Sequence, residues 1–194
     1  MRFQSTNVQP VAGLPLPVTS GGFQSFIDAN GDVWIAKPGV DGGKWNRPSD
    51  VLKTRVYRNT AFTILGPGAA YLTFDATTFD IFGLYAGSPG SWTCPLNGMY
   101  NIYTQVGYTP TLSGQSLSTR LYRNGANTTL GQHDSAATGA GWASIVPVYD
   151  TWQLTATEWV ATAIASPNLA GAGSLAGQPG SAWTYLIIEY AGTG

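Results

Sequence analysis

Side chains able to carry catalysis are scarce in this sequence of 194 residues. His133 is the only histidine, and it lies beside Asp134 in a run of small and polar residues that predicts a loop. A Gly-x-Ser-x-Gly elbow, which would hold a nucleophilic serine on a sharp turn, does not occur. The ten carboxylates show no acid–base spacing, although a glycosidase pair that meets only in space would show none. The sequence predicts a protein that is not an enzyme.

Metal and cofactor patterns point the same way. Cys94 is the only cysteine, which excludes an intrachain disulfide and a zinc cluster, and its apolar neighbours predict a core position. Asp28, Asn30 and Asp32 resemble the start of a calcium loop, but Gly39 stands at its twelfth position, where a bidentate glutamate is required. We therefore expect neither a metal ion nor a cofactor.

Aromatic residues are the most plentiful side chains that could contact a ligand, with seven Trp and ten Tyr. Most should lie in the core, because large rings supply most of the apolar area that a domain buries. Trp142 follows a Gly-Ala-Gly run in a predicted loop, where it could stack on a sugar. Trp142 and His133 are the candidate residues for contact with an external surface.

Charge is unevenly distributed along the chain. Residues 1–58 hold seven of the nine basic and four of the ten acidic side chains, and residues 59–194 hold the other two and six. A basic segment of net +3 thus precedes an acidic one of net −4. This pattern is typical either of chance clustering or of an arm that docks on an acidic surface. The overall charge of −1 offers no basic field for nucleic acid.

The N-terminal residues lack the apolar run and the cleavage site of a secretory signal. No window of the sequence approaches the roughly 18 apolar residues of a membrane span. We expect a protein that is made in the cytoplasm without an export signal and that does not contact a membrane.

Residues 1–52 are predicted to form an anchoring arm. Residues 1–22 are rich in Pro, Gly, Ser and Thr without periodicity, which is typical of an extended segment. Two β-prone runs, Phe23 to Ile27 and Val33 to Lys37, flank Asn30-Gly31, a strong signal for a hairpin. The side chains best suited to anchor this arm on a partner are Trp34, Lys37, Lys44, Trp45 and Arg47.

Residues 53–194 are predicted to form an all-β domain, because short β-branched or aromatic runs alternate with Gly, Pro, Asp and Asn. Eight or so strands with close turns predict an antiparallel β-sandwich or jelly roll. The last strand, Trp183 to Tyr190, is apolar on both faces, so its second face should meet another subunit or sheet. Two aperiodic loops, Gly131 to Gly141 and Ser166 to Ala182, are predicted to lie together at one end, as a contact surface or as inert loops.

Residues 92–102, Trp-Thr-Cys-Pro-Leu-Asn-Gly-Met-Tyr-Asn-Ile, resemble the Phe-Thr-x-Pro-x-x-Gly-x-Tyr-x-Phe signature of the complement globular-head and tumour-necrosis-factor-like jelly roll. Phe79-Asp80, Leu-Tyr-Arg-Asn-Gly at 121–125 and the last strand resemble further parts of that pattern. The likeness covers about residues 53–191. Its turn Leu-x-x-Gly-Asp-x-Val is altered here to Leu-Thr-Ala-Thr-Glu-Trp-Val at 154–160.

The resemblance implies an antiparallel jelly-roll β-sandwich that forms a homotrimer. Gly98 is expected to provide a tight turn, and Tyr100 to enter the core or the threefold contact. The side chains expected at the trimer interface are Tyr100, Ile102, Tyr185 and Ile187.

Residues 34–52 are similar to modules in virion proteins of phages that infect actinobacteria. This likeness implies a structural virion protein, made in the bacterial host and exposed on the particle surface. It would decorate the capsid or form a head fibre, with its arm bound to the major capsid protein or a tail protein. One alternative is a receptor-binding minor tail protein that recognises a host cell-surface glycan, with His133 and Trp142 as the candidate residues for host contact. Another is a secreted or surface lectin-like module outside phages.

Overall fold

A computed structural model describes residues 21–65, 70–110, 116–125, 132–136, 144–165 and 174–192. The chain divides into two compact units, one that ends at Val51 and one that begins at Leu52.

The described part of the first unit is built on a β-hairpin. Its Asp28 carboxylate closes the turn by accepting hydrogen bonds of 2.9 Å from the N–H groups of Asn30 and Asp32. Gly31 has a φ of 84°, which glycine adopts without steric cost. The hairpin predicted at Asn30-Gly31 is confirmed. The elements of this unit are β1 (Gln24–Ile27), β2 (Val33–Ala36), a 3₁₀ turn (Asp41–Gly43) and helix α1 (Pro48–Val51).

The second unit consists of strands in the residues that the structure describes. They are β3 (Lys53–Tyr57), β4 (Phe62–Leu65), β5 (Ala70–Tyr71), β6 (Ala76–Asp80), β7 (Tyr85–Ala86), β8 (Ser91–Thr93), β9 (Gly98–Pro110), β10 (Ser116–Arg123), β11 (Gln132–Ala136), β12 (Ser144–Leu154), β13 (Trp159–Ala165), β14 (Ser174–Gly177) and β15 (Tyr185–Gly192).

These strands form two antiparallel sheets. The front sheet has seven strands, in the order β4, β14, β9, β15, β3 and β6, with β12 paired to β9. The back sheet has six strands, in the order β11, β10, β13, β8 and β7, with β5 paired to β13. The predicted all-β antiparallel sandwich is confirmed.

The core lies between the two sheets, because alternate residues of each strand point to opposite faces. Ile102 of the front sheet and Leu121 of the back sheet are both fully buried in it. Two hydroxyl groups also meet inside the core: Thr104 Oγ1 lies 3.0 Å from Thr162 Oγ1, so the pair bridges the front and back sheets. A buried polar group keeps its hydrogen bond in this way.

A second polar bridge joins the sheets through β8 and β3. Trp92 Nε1 of the back sheet donates to Thr54 Oγ1 of the front sheet over 3.0 Å, and Thr54 Oγ1 donates to Asp80 Oδ1 over 3.0 Å. The same Asp80 carboxylate accepts from the N–H groups of Leu84 and Tyr85, each at 3.0 Å. The chain therefore turns after Asp80, and β6 and β7 are separate strands.

Gly98 serves close packing, which corrects the expected turn role. It begins β9, and it is not among the described glycines with a left-handed backbone. A Cβ atom at this position would lie 2.4 Å from Tyr190 Cε2 and 2.8 Å from the backbone oxygen of Gly192. Only glycine allows β15 to approach the start of β9 this closely.

The two predicted loops contain strands, so the prediction was wrong for residues 132–136 and 174–177. Strand β11 pairs with β10 at the edge of the back sheet, and β14 lies between β4 and β9 in the front sheet. Backbone pairing forms both strands. The polar run Gln-His-Asp-Ser-Ala of β11 and the mostly small residues of β14 carry no apolar alternation that would reveal a strand. The predicted position of the loops at one end falls on residues outside the described ranges.

Candidate interaction surface

The outer side of the front sheet carries a row of partly exposed aromatic and apolar side chains. Tyr103 of β9 and Tyr185 of β15 stack there, with ring centroids 5.6 Å apart and ring planes 28° apart. The Arg55 guanidinium lies 5.2 Å from the centre of the Tyr185 ring. We call this surface the exposed face, and it comprises Arg55, Met99, Asn101, Tyr103, Ile145, Pro147, Tyr149, Tyr185 and Ile187.

Hydrogen bonds hold the polar ends of these rings in place. Tyr103 Oη donates to Gln105 Oε1 over 3.3 Å, and the Gln105 amide donates to the backbone oxygen of Ala182 over 3.0 Å. Tyr149 Oη and Thr151 Oγ1 both contact Asn101 Oδ1, at 3.3 and 2.9 Å. The rings are thus positioned before any partner arrives, which lowers the entropy cost of binding.

Tyr185 of the exposed face carries no charge at neutral pH. Burial raises the pKa of Tyr185 to about 12, and its hydrogen bond with Tyr103 acts in the same direction. Neutral hydroxyl groups on large rings can enter an interface at a small desolvation cost.

The structure separates the four predicted interface residues. Tyr185 and Ile187 lie on the exposed face, as outward neighbours on β15. Tyr100 and Ile102 are 0% exposed and belong to the core, so their predicted place in a subunit contact is wrong. The reason is the pleat of β9, which turns these two residues inward and Tyr103 outward. The Tyr100 ring packs 5.2 Å from Trp92 and 5.3 Å from Tyr190.

Two tyrosines of the exposed face were not identified from the sequence. Tyr103 pairs with Ile187 and also with Tyr149 across neighbouring strands, and Tyr149 is 61% exposed. Both alternate with core residues along β9 and β12, so the alternation of side chains between the two faces of a strand could have placed them on the outer face.

In the first unit, three of the predicted anchoring residues contact their own unit. Trp34 Nε1 donates to Asp28 Oδ2 over 3.0 Å, and the Arg47 guanidinium lies 5.6 Å from the Trp34 ring centre. The ring of Trp45 packs 6.0 Å from that of Phe26. The hydrogen bond from Trp34 is the main cause that holds the pKa of Asp28 below its ordinary value.

The structure also locates Lys37 and Lys44 of the predicted anchoring residues and His133 of the predicted host-contact residues. Lys44 is exposed and Lys37 is partly buried. His133 lies in β11, opposite Thr119, so its prediction as a loop residue is wrong. Trp142 lies outside the described residues.

A cavity of about 450 Å³ lies beside the end of β12, lined by Arg123, Thr151, Trp152, Gln153 and Thr155. The one charged side chain of this lining, Arg123, already has a partner. Its Nε and Nη2 donate to the two carboxylate oxygens of Glu158 at 2.9 and 2.6 Å. Burial acts to raise the pKa of Glu158, but hydrogen bonds from Thr155 and Arg123 outweigh it and hold that pKa below its ordinary value. The cavity thus offers an incoming ligand no free charge.

Sites for other chemistry were sought in the described ranges. Cys94 is a buried free thiol, and burial raises its pKa. Within those ranges, no three His, Cys, Asp or Glu side chains converge as metal ligands would. None of the helices found there combines the length and apolar character of a membrane span.

Comparison with solved structures decides the fold. The globular domain of zebrafish Complement 1qA protein matches with a TM-score of 0.52 and 14% identity, over 73% of this chain and 98% of that one. The fold is the complement 1q and tumour-necrosis-factor jelly roll. Eiger TNF from S. frugiperda matches at 0.51 and 15% identity, covering 73% of this chain and 93% of its own. Murine APRIL matches at 0.53 and 11%, covering 71% and 97%.

No protein-family model and no curated protein matches the sequence. The identities of 11–15% establish a shared jelly-roll fold. They carry no binding activity over to this chain.

Proposed function

We propose that this chain is a structural bacteriophage virion protein, a homotrimeric jelly roll without enzymatic activity that decorates the capsid or projects from it. The observation that carries the self-association is the exposed face of the front sheet. The N-terminal unit attaches the protein to another virion protein, and the jelly roll is exposed on the particle surface.

The composition of the exposed face supports burial against a second copy. Tyrosine, arginine and methionine are enriched in protein interfaces, whereas lysine and glutamate are depleted. The exposed face has Tyr103, Tyr185 and Arg55 at its centre. Lys53 and Glu189, which pair across β3 and β15, lie at one end of these strands.

The front sheet also has an apolar margin that fits a closed ring of three copies. Ile145 and Tyr149 of β12 are 45% and 61% exposed, and β12 pairs in the described residues only with β9. A ring in which subunits contact head to tail needs two different patches on each subunit. The central residues of the exposed face form one patch, and the β12 margin forms the other.

The phage context rests on the likeness of residues 34–52 to virion modules. The folded first unit supports an attachment role, because its Trp34 and Arg47 side chains are pre-positioned by Asp28 and Asp32. Arg47 and Asp32 form an ion pair of 3.6 Å, with side chains 58% and 51% exposed. A rigid, partly exposed aromatic and cationic pair is a typical interface anchor.

Electron microscopy of particles labelled with a gold-conjugated antibody tests the virion assignment. Label distributed over the head is the expected result. Label confined to a few sites on the tail would favour a receptor-binding minor tail protein. Purified particles that carry no label, alongside free protein in the lysate, would contradict the virion assignment.

A further inference from the structure

The two strands that carry the centre of the exposed face, β3 and β15, have an excess of positive charge. Their two basic side chains, Lys53 and Arg55, and one acidic side chain, Glu189, give a net charge of +1. Glu189 stands directly opposite Lys53, whereas Arg55 stands opposite Ile187. Among the side chains that the structure describes, Arg55 has no ion-pair partner. Its charge is therefore available to an incoming carboxylate.

The Arg55 guanidinium is held in place with most of its donors unused. Its Nη2 donates to the backbone oxygen of Ser181 over 3.0 Å, and its central carbon lies 5.2 Å from the centre of the Tyr185 ring. A guanidinium has five N–H donors, and this is the one hydrogen bond that it makes with the described residues. The position is thus fixed within one copy, but acceptors for the remaining donors have to come from outside it.

The acidic side chains of the second unit leave one candidate partner on a different patch. Residues 59–194 contain six, of which Glu189 lies beside the exposed face and Asp134 has a side chain outside the described set. Three others already accept hydrogen bonds from their own copy, and they are Asp75, Asp80 and Glu158. Asp150 of β12 is the acid that remains.

Asp150 lies at the open side of the sandwich, and it is the only charged residue of β12. It stands opposite the core residue Ile102, yet it is partly exposed, because β12 pairs in the described residues only with β9. Its Oδ1 accepts from the N–H of the next residue, Thr151, over 2.8 Å, and no described cation pairs with it. Its neighbour Tyr149 belongs to the β12 margin, so an uncompensated carboxylate borders that patch.

Arg55 and Asp150 cannot pair within one copy. Their strands are separated by β15 and β9, which amounts to three strand spacings of about 4.8 Å. Their side chains also leave opposite faces of the sheet, since Arg55 lies on the exposed face and Asp150 on the side of Ile102. The two charges can therefore meet only between copies.

We propose that Arg55 of each copy forms an ion pair with Asp150 of the next copy, and that these pairs set the head-to-tail order of the ring. This inference rests on the proposed trimer, in which the exposed face of one copy contacts the β12 margin of the next. Opposite charges across an interface fix its register and its choice of partner. An isologous dimer through the exposed face would instead bring the Arg55 side chains of two copies together, which like-charge repulsion disfavours.

Charge reversal in the full chain tests this pair, with light scattering over a dilution series as the measurement. Arg55→Glu and Asp150→Arg should each raise the concentration at which the trimer half-dissociates about tenfold or more, because each places like charges in the contact. The double variant Arg55→Glu/Asp150→Arg restores opposite charges. It should return that concentration close to the value of the parent chain.

Lys53→Glu is the matched control, because Lys53 is an exposed cation of the same strand as Arg55. Added to Asp150→Arg, it should not restore the trimer. Near-ultraviolet circular dichroism verifies the folding of every variant. Arg55→Gln and Asp150→Asn repeat the test without charge reversal, and their combined effect on dissociation should be smaller than the sum of the single effects.

The outcomes separate the ion pair from the trimer itself. A parent chain that stays monomeric at the highest concentration reached would contradict the proposed trimer and the pair with it. A trimeric parent whose double reversal variant is no more stable than the single variants would overturn the pair and leave the trimer standing. Equal restoration by Lys53→Glu, or strict additivity of the two neutral substitutions, would also overturn the pair.

Discussion

Tyr103 and Tyr185 stack on the outer side of the front sheet as a diagonal pair, since Tyr103 lies opposite Ile187 and Tyr185 opposite Gln105. Tyr100 and Ile102, on the same strand as Tyr103, are fully buried in the core. A single strand, β9, thus supplies both the centre of the sandwich and the centre of the exposed face. Substitutions on its two faces should separate folding from assembly.

Removal of the hydroxyl bridge inside the core should destabilise the fold. Thr104→Val deletes the contact with Thr162 Oγ1 and the hydrogen bond of 2.9 Å to the Tyr185 oxygen. We expect a loss of about 1–3 kcal/mol in the free energy of unfolding, because the remaining hydroxyl is left unpaired in the core. Urea denaturation measures it. The double variant Thr104→Val/Thr162→Val should lose less than the sum of the single variants, and strict additivity would contradict the bridge.

Enlargement of Gly98 should also destabilise the fold. Gly98→Ala places a methyl group against Tyr190 and the Gly192 backbone, where the strands cannot separate without losing pairs. We expect a loss of roughly 1–3 kcal/mol. Gly87→Ala is the control, because its Cβ would meet only the Phe74 oxygen at 3.9 Å. Equal thermal stability of both variants would contradict the packing role.

Acid should weaken the fold partly through Glu158. The folded-state pKa of this carboxyl is held below its ordinary value of 4.5, so its stabilising contribution is present above that pH. The contribution is lost as the pH falls through the folded-state pKa, since protonation ends the pairing with Arg123. Glu158→Gln should lower stability at pH 7 and flatten the stability profile below pH 4.5. An unchanged slope in denaturant titrations at several acid pH values would refute this role.

Disruption of the Trp34–Arg47 pair should affect attachment and leave assembly intact. The full chain with Trp34→Ala and Arg47→Ala should remain a trimer but fail to bind particles that lack the protein, because the anchor of the first unit is lost. Gln153→Ala, an exposed position of the second unit, is the control. Cosedimentation with such particles measures binding. Undiminished binding of the double variant would place the attachment site outside this pair.

The sequence predicts the fold more completely than the site, for a physical reason. Period-two patterns such as that of β9 reveal strands, and the Asn30-Gly31 turn has a distinct backbone requirement, so both are visible locally. Strand β15 is apolar on both faces, so its pattern cannot tell which face meets the core. The exposed row of Tyr103, Tyr149 and Tyr185 depends on registers between distant strands.

Strands β11 and β14 escaped prediction for a related reason. The polar run of β11 and the mostly small residues of β14 give no hydrophobic alternation, and pairing with β10 forms the first strand, whereas pairing with distant β4 and β9 forms the second. Strand β5 is similar, because it has two residues and is a strand only through its pairing with β13. Long-range backbone contacts leave little mark on composition.

Light scattering coupled to size-exclusion chromatography tests the proposed trimer most directly. The parent chain, of 20.4 kDa, should elute with three times its monomer mass. Ile187→Asp should yield a folded monomer, because assembly would bury an unpaired charge at a cost of several kcal/mol. Thr93→Asp, at an exposed position of the back sheet, should remain a trimer. A parent chain that is monomeric at all concentrations, or an Ile187→Asp variant that still forms a trimer, would contradict self-association through the exposed face.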